Sequence, residues 1–323
     1  MKVPVEADIE GYDLIGDVHG CYDMLVRLLL KMGYQCENGV YAHPCRKVIF
    51  LGDILDRGRG IFDTVRLVRA MVDSGNAWLV LGNHEVNAVL FAANAFLGGK
   101  LRARPIRPLL QTLKQFRDHQ EEWRDTIEWL RGMPLALEFP EFRAVHACWD
   151  QNMIARLNSL NPSSNLADDA FLLSVLFREG EAHRILDRLL KGVNLRLPDG
   201  YSIRGGDGVE RSRFRAIFWE AHPTTYGDLL FVPDRVAPEL RDLAFPEQER
   251  SLLTYYSKHE KPLFVGHYWR RGAFSLFAPN IVCLDYSAVR GGRLVAYRTE
   301  RGVAGLEVGR MVSVGASSEL SAL

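Results

Sequence analysis

The chain has 323 residues, of which 47% are hydrophobic and 25% charged, values that suit a soluble globular protein of one or two domains with a large buried core. Lysine plus arginine matches aspartate plus glutamate at 40 each, so bulk charge points to neither a nucleic-acid nor a membrane-surface partner. The five cysteines are Cys21, Cys36, Cys45, Cys148 and Cys283; odd in number, scattered and without a C-x-x-C pair, they argue against a disulfide framework or zinc knuckle. "MKVPVEADIEGYD" has no apolar segment behind a basic start, and no run approaches about 18 apolar residues. The expected location is therefore the reducing cytoplasm.

In chain order, three short apolar runs end in similar words: "LIGDVHG" (14–20), "VIFLGDILDRG" (48–58) and "LVLGNHE" (79–85). Short, glycine-bounded runs suit buried strands better than helices. Between them, Leu25, Leu28, Leu29 and Met32 mark one helix with Gly33 as its stop, and Phe62, Val65, Val68 and Val72 mark a second ending at Gly75. Strand alternating with helix implies parallel units, whose functional sites lie at the carboxyl ends of the strands. Residues 94–131 read as a helical insertion in which Leu113, Phe116, Trp123 and Trp129 form the internal packing. "MPLALEFPEFRAVHACWD" reads as two strands turning near Pro140-Glu141, residues 151–192 as a second helical insertion, and "LPDGYSIRGGDG" as a loop or short hairpin. Strands return as "PLFVGH", "GAFSLFA", "NIVCLDY" and "RLVAYR". Ligand-type residues from Asp17 to His267 favour a single domain over 1–310, and 311–323 reads as a weakly patterned tail.

The strand ends gather chemistry. They present Asp17 and His19; Asp53, Asp56 and Arg57; Asn83, His84 and Glu85; then His146 in "AVHA" and His267 in "FVGH". Each has a bland reading alone: Gly-Asp as a turn, a lone histidine as a core residue, Asn83 as a helix cap, "DRG" as a surface ion pair. Independent turns do not explain why five strand ends all finish in ligand-type side chains. Carboxylates and imidazoles without thiolate suit Mn, Fe or Zn. One aspartate can bridge two cations, and two such ions clamp a phosphoryl group and lower the pKa of a water between them.

"GDVHG", "GDILDRG" and "GNHE" resemble the three signature blocks of the calcineurin-like metallophosphoesterases, and the "DRG" and "GNHE" forms are similar to the phosphoprotein-phosphatase branch. That branch includes bacterial diadenosine tetraphosphatases, protein phosphatases and the phosphatase module of polynucleotide kinase-phosphatases. The resemblance spans roughly residues 12–147 and 262–298. It implies an α/β sandwich of two mixed β-sheets flanked by helices, and a hydrolase using two divalent ions, manganese first with iron and zinc as alternatives. Asp17 and His19 would hold one ion, Asp53 would bridge both, and Asn83, His146 and His267 would hold the second. A hydroxide bridging the ions would attack a phosphomonoester or phosphoanhydride. His84 would protonate the leaving group, Asp56 would hold its imidazole, and Arg57 would grip the phosphate. Of Arg211, Arg213 and Arg215, Arg215 is taken as the second phosphate ligand. Glu85 is read as a supporting residue at the helix start.

Substrate classes left open are phosphoprotein, nucleotide (including dinucleoside polyphosphate) and nucleic-acid ends, with no obligatory nucleic-acid partner and no membrane. A catalytically silent phosphate-sensing or partner-binding module is the competing class. Three departures bear on substrate: "GHYW" places Trp269 where wider relatives have a histidine, "HACW" has Cys148 for glycine, and "LDYS" has Tyr286-Ser287. The basic run Lys100, Arg102, Arg104 and Arg107 either steers a polyanion or forms a solvated loop. His119, His183, His222 and His259 are expected to face solvent.

Overall fold

The structure, a computed structural model, describes residues 1–4, 6–96, 107–176, 180–204, 209–231 and 236–315. The three N-terminal apolar runs form strands Gly11–Ile15, Arg46–Phe50 and Ala77–Leu79, paired in parallel in that order. Helices Tyr22–Lys31 and Ile61–Asp73 carry the chain back, burying Leu25, Leu28 and Leu29 from the first and Val65, Val68 and Met71 from the second. Strand Arg293–Arg298 adds antiparallel to Gly11–Ile15, and Asp285–Tyr286 and Met311–Gly315 pair with it in turn.

A second sheet contains Ala136–Glu138, Arg143–Val145, Leu263–Val265 and Ile281–Cys283. Its first pair is antiparallel and the other two are parallel. Side chains alternate along a strand, so Leu14 and Ile49 face the second sheet while Ile15 and Phe50 face helices. Leu14, Ile49, Leu51 and Val80 meet Leu137, Ala144, Phe264 and Val282 in one apolar layer. Ile15, Phe50, Leu25, Leu28 and Val68 belong to the helix-facing core. The fold is thus the expected sandwich of two mixed sheets flanked by helices.

The first insertion carries helices Leu110–Gln115 and Gln120–Gly132, with Phe116 and Trp123 buried and Leu113 and Trp129 half-buried against the core. The second carries Gln151–Leu160, Asp169–Leu176 and Glu181–Lys191. Within "LPDGYSIRGGDG", Ile203–Arg204 pairs with Glu210–Arg211, while 205–208 fall outside the described residues, as do Lys100, Arg102, Arg104 and the tail beyond 315.

Several expectations are corrected. Met311–Gly315 is an edge strand rather than tail, since Val312 and Val314 pack on the core while the backbone pairs with 293–297. "GAFSLFA" is irregular apart from a bridge at Ala278. Side chains take over its backbone groups there: Tyr286 Oη accepts from Ser275 N at 3.2 Å, and Arg270 donates to Ser275 O. His183 is half-buried with Nδ1 donating to Val175 O at 3.1 Å, whereas His119 stacks on Phe62 at 4.3 Å with its side chain still exposed, as expected.

Candidate metal centre

Every residue singled out at a strand end lies on the same pole of the sandwich, beyond the carboxyl ends of the parallel strands. The backbone there is bent hard. His19, Asp53, Asp56, Arg57 and His267 all hold positive φ, at 46°, 52°, 67°, 73° and 64°, a left-handed conformation that β-carbons disfavour and that surrounding structure must impose. In "GDVHG" the two glycines serve different ends. Gly20 turns the chain at φ 64°, whereas Gly16 is needed for proximity, because a Cβ there would lie 2.2 Å from Leu284 O. Gly266 likewise makes room for Asp17, since a Cβ would lie 2.1 Å from Asp17 Oδ1.

Asp53 sits at the centre. Its Oδ2 is 3.5 Å from His19 Nε2 and 3.7 Å from His84 Nε2, and its Oδ1 is 3.4 Å from His146 Nε2. Ligand atoms of His19, Asp53 and His84 lie within 4.8 Å of one another, and so do those of Asp53, His146 and His267. Asn83 Oδ1 is 3.3 Å from His146 Nε2. Asp17 accepts the His267 amide at 3.1 Å, which ties the first strand end to the last.

Backbone carbonyls fix the imidazoles. His19 Nδ1 donates to Leu55 O and His146 Nδ1 to Leu51 O, both at 2.7 Å, so each turns its Nε2 inward. This is the arrangement that orients metal-ligating histidines. His19 Nε2 is buried with no hydrogen-bond partner among the described residues. Burial, against the pull of Asp53, holds the His19 pKa down to about 3, which leaves a neutral ring with a free lone pair. Burial and then Arg215 also hold His267 well below its usual range. His146 behaves otherwise: burial would lower it, but Asp53, Asp17 and the Leu51 carbonyl together raise it to about 10. Asp53 is in turn held low, because His146 and His84 outweigh its own burial.

Two further carboxylates press on the centre without an ion pair. Burial and Asp285 push Asp17 well above its ordinary value. Burial and Asp53 push Asp285 up to about 6, and its Oδ2 is buried without a hydrogen-bond partner. Unpaired buried carboxylates, inward lone pairs and one amide oxygen form a donor set suited to borderline divalent ions.

The flanking groups are organised as well. His84 Nδ1 donates to Asp56 Oδ2 at 2.5 Å and its Nε2 lies 3.2 Å from Arg57 Nη2. Burial would lower its pKa, yet Asp53 and the Asp56 hydrogen bond raise it. Glu85 supports rather than ligates: its carboxylate accepts amides of Asp53 at 2.7 Å, Gly82 at 2.9 Å and Leu55 at 3.0 Å, tying two strand ends together. Arg215 Nη2 lies 3.0 Å from His267 Nε2, whereas Arg211 and Arg213 are exposed. Cys148 is buried.

Some contributors have no local sequence signal. Thr112, in the first insertion, donates to Asp56 Oδ1 at 2.5 Å and accepts the Asp56 amide at 3.1 Å. Gln115 accepts the Ile61 amide at 2.7 Å and donates to Gly58 O at 3.0 Å. The insertion therefore buttresses the "DRG" turn. Asp285 had a signal in "LDYS", a polar residue directly after an apolar strand.

The family model of calcineurin-like phosphoesterases matches residues 13–186. A bis(5'-nucleosyl)-tetraphosphatase PrpE (asymmetrical) of Halalkalibacterium halodurans is 47% identical over 74 residues, covering 23% of this chain and 30% of that protein. The chain thus aligns with under a third of that relative's length. A symmetrical bis(5'-nucleosyl)-tetraphosphatase of Pasteurella multocida is 24% identical over 298 residues, 89% of this chain and 93% of that one. Among solved structures, a serine/threonine phosphatase from Saccharomyces cerevisiae covers 97% of this chain and 81% of its own at 15% identity and TM-score 0.49.

Proposed function

The chain belongs to the calcineurin-like phosphoesterase family, and we propose that it is a hydrolase dependent on two divalent ions, acting on a phosphomonoester or phosphoanhydride. One observation carries this reading: a single buried carboxylate, Asp53, is shared by two groups of imidazoles. In this reading Asp17, His19 and Asp53 hold one ion, and Asp53, Asn83, His146 and His267 hold the other, manganese being the first choice with iron and zinc as alternatives. When bound, the ions supply Lewis-acid charge and a water of lowered pKa.

The protein's own residues do the rest. His84, kept cationic by Asp53 and Asp56, holds on Nε2 the proton that the leaving oxygen takes as its bond to phosphorus breaks. Asp56 fixes the ring by its bond to Nδ1, and Thr112 fixes Asp56. Arg57 and Arg215 have no carboxylate partner among the described residues, so both guanidinium forks are open to phosphoryl oxygens.

The substrate is a phosphoprotein, a nucleotide or a nucleic-acid end. A second, narrower reading is dinucleoside polyphosphate hydrolysis. It is favoured by an open cleft of about 650 Å³ beside the centre, lined by Arg211, Arg213, Arg215, Phe231 and Trp269, which offers guanidiniums for phosphates and rings for a base. No helix among the described residues is long and apolar enough to cross a membrane, and we place the reaction in the cytoplasm. The test is metal analysis with turnover of p-nitrophenyl phosphate in added manganese, then a panel of phosphopeptide, diadenosine tetraphosphate and RNA ends. Two ions per chain with turnover is the expected result. Two ions without hydrolysis of any phosphoester would overturn the enzyme reading and leave the silent module.

A further inference from the structure

Trp269 lies two residues beyond His267, on the loop that leaves strand Leu263–Val265. Two guanidiniums lie over its ring: Arg57 at 4.5 Å and Arg290 at 3.8 Å from the centroid. Arg290 is exposed and, like Arg57, makes no ion pair among the described residues. Its backbone is firmly set. The short turn Ala288–Arg290 is entered through Ser287 at φ 58° and left through Gly291 at φ 77°. Ser287 Oγ donates to Arg270 O at 3.1 Å, and the Ser287 amide donates to Asp285 Oδ1 at 3.0 Å. The turn that carries Arg290 is therefore fastened to the loop that carries Trp269.

Cation–π attraction to the indole holds each guanidinium, while the like charges oppose their gathering. Although Arg57 counts as exposed, its head lies against His84 and Trp269, where partial desolvation and then Arg290 lower its pKa. Two gathered cations, neither in an ion pair among the described residues although Asp53 pulls on Arg57 from the centre, fit an anion bound between them, and planar guanidinium forks match phosphoryl oxygens. We infer that Arg290, seated on Trp269, is a specificity-determining residue that holds a second phosphoryl group next to the one being cleaved. Neighbouring phosphoryl groups of an anhydride are separated by one bridging oxygen, which suits two arginines sharing one ring. The carboxylate of an acidic residue beside a phosphoserine is many bonds further away. Trp269 acts as a positioning residue for both arginines, and Ser287 anchors the turn.

This inference rests on the placement of the cleaved phosphoryl group at Arg57 and His84. It is tested by measuring kcat/KM for inorganic tripolyphosphate and for p-nitrophenyl phosphate, with manganese in excess, in the full chain. The Arg290→Gln variant should lower the ratio of the two values about tenfold, the scale of one charge-assisted contact, and mainly through KM. Trp269→Leu should lower it similarly, and Trp269→Phe should restore most of it. Arg301→Gln, beside the start of the first strand where Arg301 donates to Ala7 O, is the control and should leave the ratio unchanged. An unaltered ratio in Arg290→Gln overturns the inference. So does an equal loss on a phosphoserine peptide with a neighbouring aspartate. If the unmodified protein cleaves no substrate at all, the hydrolase reading falls first and this inference with it.

Discussion

Asp13 and Asp17 lie four residues apart, both buried, and the fold treats them in opposite ways. Asp13, inside the strand, is fully answered: Arg46 grips both its oxygens, with Nη2 at 2.9 Å and Nε at 3.0 Å, Arg298 Nε adds a contact at 3.0 Å, and Tyr34 Oη donates at 3.0 Å. Asp17, just past the strand, receives only the His267 amide among the described residues and faces Asp285 and Asp53. A buried carboxylate is costly unless paired and hydrogen-bonded. Where the chain supplies arginines, the carboxylate is structural. Where it supplies inward lone pairs and more carboxylates, the proposed divalent ions would bring the balancing charge.

Substitutions on the two sides should separate these roles. Asp53→Asn replaces the shared anion by a neutral amide and should lower kcat/KM about 1000-fold, with loss of both ions. Asp13→Asn should do the reverse. Leaving Arg46 buried without its carboxylate should cost about 3–5 kcal/mol of stability by denaturant unfolding, with activity per folded molecule kept; a stable variant would break the contrast. His84→Ala should retain the ions and lose about 10²–10⁴-fold in rate on poor leaving groups, and much less on p-nitrophenyl phosphate. Equal losses on both would remove His84 from the acid role.

The pH profile sharpens the same division. In the proposed reaction His84 acts in its protonated form, and its raised pKa keeps that form present above the ordinary histidine range, so activity on poor leaving groups should fall as pH rises through the raised value. Asp56→Asn removes a group that raises it, and the alkaline limb should move to lower pH. A limb that stays in place would detach Asp56 from His84. The smallest effect is expected for Thr112→Val. Loss of its hydroxyl from Asp56 should slow poor leaving groups by about tenfold or less, the scale of one buried hydrogen bond.

How far the sequence could be read follows the same line. The parallel strands and the gathering of Asp17, His19, Asp53, Asn83, His84, His146 and His267 were legible, because each is written as an apolar run followed by a ligand-type residue. The Asn38-Gly39 pair, both at positive φ, closes a hairpin between Gln35–Glu37 and Val40–Ala42 that Asn-Gly chemistry specifies, but its three-residue strands carry no buried apolar run to mark them. Thr112 and Gln115 could not be read at all. Their roles depend on an insertion helix folding back onto the "DRG" turn, a contact between residues 56 positions apart. Gly16 was legible as a glycine but not as a packing glycine, because its constraint is Leu284 O from the far end of the chain. Trp269 reads in sequence only as a missing ligand, and its two arginines come from distant segments.

The central claim is that carboxylates unanswered by the chain are answered by two divalent ions. Calorimetric titration of chelator-treated protein with manganese tests it most directly, run on the unmodified chain, Asp53→Asn and, at a temperature where it is folded, Asp13→Asn. The account predicts two equivalents bound by the unmodified chain and by Asp13→Asn, and neither tightly by Asp53→Asn. Two equivalents bound equally well by Asp53→Asn, or none by the unmodified chain, would contradict it.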